Sequence, residues 1–227
     1  MPIMKPLKKD IDSSLLVTVC LLIMNNYNEL FKKELEKIEG RPSLLLHVCC
    51  GPCSMYPLEL LSKTFDITIY YGNSNIFPYE EYQKRLDTLL EYLASINKDI
   101  KVIIPEYDDE YQKKLSEYAN VKEGMQRCAK CYGLRMLEAY RYAINNNFAY
   151  FTTVMSISNH KNANYINYIG SLLEKKFGSV RYLYADFKKD GGIDINRIMN
   201  KEAKIYEQEY CGCVYSLRDY FQKKTCA

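Results

Sequence analysis

The stretch SLLLHVCCGPCS, residues 43–54, joins an apolar run to three cysteines that fall within five positions. The run at 43–48 has the length and composition of a buried strand in a parallel sheet. Gly51 and Pro52 then turn the chain into a helix and leave Cys53 near the helix N-terminus. Because free backbone N–H groups and the helix dipole stabilise a thiolate there, the stretch predicts a strand–turn–helix unit that carries metal or thiol chemistry.

Apolar runs and helical patterns alternate along the rest of the chain. We predict strands at 43–48, 66–71, 100–104, 148–153 and 180–184. We predict helices at about 54–64, 79–97, 129–146, 161–176 and 193–208. This alternation is typical of an α/β fold, a parallel sheet with helices on both faces. Ligands of such sheets bind beyond the carboxyl ends of the strands, which is where Cys49 and Cys50 fall.

The segments between the predicted strands and helices indicate the domain organisation. No repeat, low-complexity tract or Pro/Gly/Ser linker divides the chain, so we predict a single α/β domain over 41–227. Residues 1–40 are expected to form a helical extension, since NELFKKELEKIEG at 28–40 has an amphipathic helical pattern.

Composition narrows the location and the partners of the protein. The apolar run LLVTVCLLIM at 15–24 is too short to cross a bilayer and lacks a following cleavage site, so we expect a cytoplasmic protein without a membrane partner. Thiols stay reduced in that compartment, and the nine cysteines therefore indicate metal or redox chemistry. The net charge of +3 does not by itself indicate nucleic acid, although the 22 tyrosines can stack on unpaired bases or reflect a compositional bias.

A second cysteine group lies at the start of the helical pattern near residue 129. Cys128 and Cys131 are three positions apart and share one helix face. A CxxC pair is compatible with a zinc site, a thiol redox couple or an iron–sulfur cluster. Together with Cys49 and Cys50 it offers four thiolates, and because adjacent cysteines are unusual in structural zinc sites, a [4Fe-4S] cluster fits the spacing better.

A third group, Cys211 and Cys213, flanks one glycine near the C-terminus. A CxC pair can close a strained disulfide that suits a switchable two-electron store, and additional metal ligation is the alternative. Cys20 is expected to be a core residue and Cys226 a thiol of the chain end. His47, inside the first strand, is expected to be a core group with satisfied hydrogen bonds.

At this point four blocks of the sequence resemble a known family, the QueH-type epoxyqueuosine reductases. The blocks are HVCCGPCS at 47–54, RCAKCYGLRM at 127–136, FTTVMSISNHKN at 151–162 and YCGCVYSLRD at 210–219. The resemblance implies a three-layer α/β sandwich of the HUP class, which is Rossmann-like. It also implies a [4Fe-4S] cluster and the reduction of the epoxide of epoxyqueuosine to an alkene at the wobble position of tRNA.

The resemblance assigns roles to the cysteines. It implies that Cys49, Cys50, Cys128 and Cys131 hold the cluster. It also implies that Cys211 and Cys213 form a redox-active disulfide. The position of Cys53 varies in the family and is associated with an additional mononuclear iron, which would polarise the epoxide oxygen as a Lewis acid. The implied partners are tRNAs of the Asp, Asn, His and Tyr types and an unidentified electron donor.

The chemistry of that reaction agrees with a site built from thiols and iron. Epoxide removal needs two electrons and protons, and no flavin or nicotinamide fingerprint such as GxGxxG occurs, so thiols and iron are expected to carry it. His160 follows the fourth strand and is our candidate proton donor, with phosphate contact or a structural role as alternatives. Lys161 is a candidate for the same roles.

Further polar residues flank these motifs. Arg127 and Arg135 bracket the CxxC pair, where they would offset an anionic cluster, bind RNA phosphate or form surface ion pairs. Five others lie near positions that face the substrate in the resembled family, where helix-start or turn polarity explains them as well: Tyr79, Glu80, Tyr82, Ser156 and Asn159.

Two other functions remain as alternatives. One is a PP-loop tRNA thiolation enzyme, which pairs a similar sheet with cysteines, although CCGPCS stands where its phosphate loop would follow the first strand. The other is a zinc-stabilised RNA-binding module, in which the thiolates would be purely structural.

Overall fold

Five parallel strands form the central sheet of the computed structural model, which describes residues 26–96 and 99–225. The strands are β1 Ser43–His47, β2 Asp66–Tyr70, β3 Val102–Ile103, β4 Tyr150–Thr153 and β5 Arg181–Tyr182. The helices are α1 Tyr27–Leu35, α2 Gly51–Leu61, α3 Tyr79–Ser95, α4 Gln126–Asn145, α5 Ala163–Phe177, α6 Gly192–Ala203 and α7 Val214–Thr225. Short 3₁₀ helices lie at Tyr111–Tyr118 and Val154–Ile157.

The strand order is β3-β2-β1-β4-β5, so the chain builds outward from β1 in both directions. β1 is the central strand, and Leu45 stands opposite Thr68 on one side and Phe151 on the other. A central strand of a parallel sheet is covered on both faces, which explains why its apolar run does not alternate with polar residues. The order reverses between β1 and β4, and ligands bind at such a switch point.

Helices cover both faces of the sheet, as the sequence predicts. α2 packs against α3 and α6, while α4 packs against α5, β1 and β4. The α/β fold with three layers is therefore confirmed. None of the helices in the described ranges has both the length and the apolar character that a bilayer crossing requires.

Some element boundaries differ from the prediction for local reasons. α2 begins at Gly51 rather than at about residue 54, because the extended Cys50 already forms the N-cap and Pro52 occupies the first turn. α6 ends at Ala203 rather than at 208, because Lys204 adopts a left-handed conformation with φ of 49°.

Helix α1 forms within the predicted N-terminal extension and packs on the β5 side of the core. Phe31 packs edge-on against Phe187 at a centroid distance of 5.8 Å. Glu34 forms an ion pair with Arg181 at 2.7 Å. Cys20 and Cys226, together with the apolar run at 15–24, lie outside the described residues. The division into an extension over 1–40 and a domain over 41–227 stays a prediction.

One glycine of α5 permits close packing against the last strand. A Cβ built on Gly170 would lie 2.2 Å from the Tyr182 ring, whose side chain is fully buried. We expect Gly170→Ala to lower the free energy of unfolding by about 1–3 kcal/mol, because the overpacked ring must shift. Urea denaturation measures this change, and Ser171→Ala on the same helix is the control. An unchanged unfolding midpoint in Gly170→Ala would contradict the close packing.

Candidate functional site

Three thiols meet at the carboxyl end of β1. Cys49 Sγ lies 3.9 Å from Cys50 Sγ, and both side chains are buried with that of Cys53. Among the described residues, these three cysteines form the one group of three or more potential metal ligands whose ligand atoms all lie within 4.8 Å of one another. The first turn of α2 brings Cys53 back to the adjacent pair.

Glycine at position 51 allows this turn to sit close to its neighbours. A Cβ on Gly51 would lie 2.9 Å from Ile205 Cδ1 and 3.1 Å from Thr88 Cγ2. The start of α2 is therefore packed against α3 and the segment after α6. This packing helps to hold the neighbouring Cys49, Cys50 and Cys53 in position.

Hydrogen bonds among the three thiols concentrate negative charge on one sulfur. Hydrogen bonds from Cys50 and Cys53 hold the pKa of Cys49 well below its ordinary value. The same bond raises the pKa of Cys50 to about 12, and the bonds to its neighbours raise the pKa of Cys53. The arrangement therefore favours the anionic form of Cys49 over that of Cys50 or Cys53.

A buried lysine in the segment after β4 faces the sulfur atom of Cys49. The Lys161 ammonium donates to Cys49 Sγ at 3.8 Å, and the lysine is only 9% exposed. Burial lowers the pKa of Lys161, but electrostatic attraction to the cysteines around it, to Cys49 most of all, outweighs burial and leaves this pKa raised. Lys161 follows β4 and Cys49 follows β1, so the pair occupies the switch point of the sheet.

The second cysteine group lies at the first turns of α4, where the sequence places it. The backbone N–H of Gly124 donates to Cys128 Sγ at 3.1 Å. The Tyr111 hydroxyl donates to Cys131 Sγ at 3.7 Å. Both thiols are buried, and burial raises the pKa of each. These donors would stabilise sulfur in its anionic, metal-binding form.

The third group is held in place by backbone contacts. Gly212 has a φ of 135°, and its carbonyl accepts from the Phe77 N–H at 2.7 Å. Cys213 precedes α7, and its sulfur accepts from the Ser216 N–H at 3.4 Å. The side chain of Cys211 is half-buried, and desolvation raises its pKa to about 12. All seven cysteines in the described ranges are free thiols.

The buried Arg85 of α3 holds this CGC segment. Its guanidinium donates to the carbonyl oxygens of Tyr210 and Cys211, each at 3.1 Å. The Glu81 carboxylate accepts from Arg85 Nε at 2.7 Å and from the Tyr206 hydroxyl at 3.0 Å. This role is not visible in the sequence, because Arg85 and Cys211 lie over a hundred positions apart.

Removal of Arg85 should cost more stability than removal of a neighbouring surface cation. We expect Arg85→Met to lower the free energy of unfolding by about 3–5 kcal/mol, because Glu81 loses its buried partner. Lys84→Met is the matched control, with an expected loss below about 1 kcal/mol from its contact with the Tyr206 ring. Chemical denaturation of both variants tests this, and similar losses in the two would contradict the assigned contacts.

One cavity of about 320 Å³ opens at this edge of the sheet. Its wall includes Cys49, Cys50, Lys161 and Cys211, so the first and third cysteine groups face the same space. The buried Arg135 also lines it. Burial lowers the pKa of Arg135, but Cys131 and Cys49 outweigh burial and raise it. Arg135 therefore faces the cavity that the first and third cysteine groups line, and it also interacts electrostatically with Cys131 of the second group.

The two histidines have different environments. His160 is exposed on the cavity wall, and its backbone N–H donates to Ser158 Oγ at 3.3 Å. His47 is fully buried, and its ring nitrogens lie 2.8 Å from Thr153 Oγ1 and 3.3 Å from the Gly72 carbonyl. Desolvation lowers the pKa of His47 to about 3, so this ring is neutral. The prediction of a core role for His47 is confirmed.

The arginines next to the CxxC pair are buried, so of the three roles considered for them, the surface ion pair does not apply. Arg127 is 1% exposed and donates to the carbonyl oxygens of Ala119 and Val121. It ties the loop before α4 in place, because a buried guanidinium needs fixed acceptors. Arg135 is 3% exposed and donates to Asn73 Oδ1.

Other predicted polar residues divide between surface and interior. Tyr79 is exposed and stacks on the buried Tyr82 at a centroid distance of 5.6 Å. Ser156 is buried and accepts from the Phe187 N–H at 3.4 Å. Glu80 and Asn159 are exposed.

Comparisons with known proteins agree on one family. A sequence profile described as Epoxyqueuosine reductase QueH matches residues 44–219. A protein of that name from Streptococcus pyogenes serotype M1 is 36% identical over 201 residues, which cover 85% of this chain and 78% of the relative. Its counterpart from Staphylococcus aureus is also 36% identical over 201 residues, covering 84% of this chain and 83% of the relative.

A solved structure supports the fold. The U34-tRNA thiolase NcsA from Methanococcus maripaludis, described with its [4Fe-4S] cluster, matches with a TM-score of 0.52 and 13% sequence identity. The match covers 94% of this chain and 74% of the thiolase chain. At this identity the likeness concerns the fold alone.

Proposed function

Because the chain belongs to the family of the epoxyqueuosine reductase QueH, we propose that it reduces epoxyqueuosine to queuosine at the wobble position of tRNA. The observation that supports this proposal is a cavity at the switch point of the sheet, whose wall includes Cys49, Cys50 and Cys211 together with the buried cations Lys161 and Arg135. Structural thiols alone would not need Lys161 and Arg135 beside them.

The donor set fits an iron–sulfur cluster. We propose that Cys49, Cys50, Cys128 and Cys131 bind a [4Fe-4S] cluster, which when bound supplies electrons one at a time. All four thiols are buried, and Lys161 contacts Cys49 at 3.8 Å. A thiolate-ligated cluster is anionic, and a buried cation offsets that charge.

The role of Cys53 is also a proposal. Its sulfur lies within 4.8 Å of the sulfurs of Cys49 and Cys50, which supports metal ligation by Cys53. An additional mononuclear iron at this position remains a prediction from the family resemblance.

Cys211 and Cys213 are proposed as the two-electron store. Closing a disulfide between them releases two electrons and two protons. Conversion of an epoxide to an alkene consumes two electrons and two protons and releases water, so the two half-reactions balance. A reductant from outside the chain must then reopen the disulfide, and this is the unidentified electron donor.

His160 is proposed as the proton donor to the departing epoxide oxygen. Its exposed side chain lies on the wall of the cavity that Cys211 also lines, so both have access to one bound substrate. The Lys161 ammonium is engaged with Cys49 and therefore serves to balance charge rather than to reach substrate.

The proposed partner is tRNA, with the Asp, Asn, His and Tyr types as the substrates that the family resemblance implies. Operation in the cytoplasm also remains a prediction, consistent with seven free thiols in the described ranges. Neither alternative function is favoured: the thiolase likeness concerns the fold alone, and a purely structural zinc site would not explain a cavity lined by Cys49 and Cys211.

Anaerobic turnover tests the proposal. The cluster-loaded chain is incubated with epoxyqueuosine-containing tRNA and dithionite, and the nucleosides are separated and identified by mass spectrometry. We expect queuosine to replace epoxyqueuosine. Unchanged epoxyqueuosine with intact tRNA and a full cluster would overturn the proposed function.

A further inference from the structure

The cavity contains polar atoms that nothing in the protein satisfies. Six buried side-chain nitrogen or oxygen atoms of the described residues lack a hydrogen-bond partner. Three of them belong to residues that line this cavity: Asn75 Oδ1, Arg135 Nε and Gln208 Oε1. An unpaired buried polar group costs about 1–3 kcal/mol, so three around one space indicate a missing polar ligand.

Two of these residues, Asn75 and Arg135, are fixed in place by other contacts. Asn75 follows β2, is 2% exposed, and its carbonyl accepts from Gln112 Nε2 at 2.9 Å. Arg135 is held by its bond to Asn73. Gln208 precedes the CGC segment that Arg85 holds. The unpaired atoms of Asn75 and Arg135 are therefore features of a preformed site, because their backbone or side chain is anchored.

The three atoms define the chemistry of their ligand. Two amide oxygens accept hydrogen bonds and one guanidinium N–H donates, so the complementary ligand edge carries two donors and one acceptor. The Watson–Crick edge of guanine carries N1–H and the N2 amino group as donors and O6 as acceptor. The adenine edge offers a single donor group, N6, and has an acceptor at N1. The cavity volume of about 320 Å³ falls in the range of sites for small ligands.

We propose that Asn75 and Gln208, with Arg135, recognise the Watson–Crick edge of a guanine-type base that has left its stack and entered this cavity. The inference rests on the proposed function, because epoxyqueuosine is a 7-deazaguanosine and keeps that edge. Asn75 Oδ1 and Gln208 Oε1 accept from N1–H and N2–H₂, and Arg135 Nε donates to O6. Enzymes that act on a base must take it out of the stack, and they read it by such bonds.

Binding of synthetic RNA tests the inference. The anaerobically purified full chain is titrated against fluorescent anticodon stem–loops that differ only in the wobble nucleoside, guanosine or inosine. Inosine lacks the N2 amino group, so one acceptor of the protein stays unpaired. We expect the guanosine loop to bind roughly 5- to 150-fold more tightly. Equal binding of the two loops would overturn the inference.

Substitution separates recognition from structural support. Asn75→Leu replaces the side chain with an apolar one of similar size, so we expect the preference for guanosine to vanish while the thermal unfolding midpoint holds or rises. A folded Asn75→Leu variant that keeps the preference for guanosine would contradict a recognition role. Gln208 is only partly buried, so Gln208→Leu repeats the test if Asn75→Leu does not fold, and a retained preference in that variant would likewise contradict the role.

The outcome is separable from that of the proposed function. If the wild-type chain turns over substrate but binds both loops equally, the proposed reductase activity is supported and the base-recognition site is rejected. If the guanosine preference depends on Asn75 but no turnover occurs, the recognition site is supported and the proposed reductase activity is rejected.

Discussion

Cys128→Ala is expected to abolish binding of the iron–sulfur cluster. The variant removes one of the four thiolates proposed to hold the cluster, and three rarely retain the cube. Its fold should survive, since only one buried sulfur is lost from the first turn of a long helix. Iron and acid-labile sulfide are measured after anaerobic reconstitution, together with far-UV circular dichroism to confirm folding.

Cys213→Ala is the matched control for this loss. Cys213 is also buried and also lies at the start of a helix, but it is outside the proposed ligand set. We expect it to keep the full content of iron and sulfide. Equal contents of iron and sulfide in Cys128→Ala and wild type would show that Cys128 is not a cluster ligand.

Cys211→Ala is expected to keep the cluster but reduce turnover to that of a protein-free control. The remaining Cys213 cannot form the intramolecular disulfide, so the two electrons that epoxide removal consumes are not available from this pair. Anaerobic turnover is measured by nucleoside analysis, with iron and sulfide quantified in the same preparation.

Cys211 and Cys213 are proposed to act as one unit, so the effects of their substitutions on turnover should not be additive. Cys211→Ala, Cys213→Ala and the double variant should all show the same residual activity. Turnover of Cys211→Ala at the wild-type rate would exclude the disulfide store. A double variant much slower than either single variant would show that the two cysteines act independently.

The sheet could be predicted because its strands carry a strong local signal. Residues 44–46 are apolar without interruption, and they are fully buried in the central strand. The sequence analysis predicts no helix at Val214–Thr225, where α7 forms; Ser216 is the one buried residue of this helix, so it has no fully buried apolar face. The edge strand β3 is shorter than predicted, since only Val102 and Ile103 pair with β2.

The cysteine groups stand out in the sequence, whereas the residues that support them do not. Each group is conspicuous because it contains closely spaced cysteines. The contact of Lys161 with Cys49 spans 112 positions and depends on β1 and β4 being neighbours in the sheet. Arg85, Asn75 and Gln208 belong to no motif, and only the folded chain shows that they surround the same cavity.

Iron-edge anomalous diffraction from anaerobic crystals tests the ligand set most directly. We expect several iron atoms in one compact cluster, bonded to the sulfur atoms of Cys49, Cys50, Cys128 and Cys131. A single metal ion bound by Cys49, Cys50 and Cys53, with Cys128 and Cys131 unbound, would contradict it.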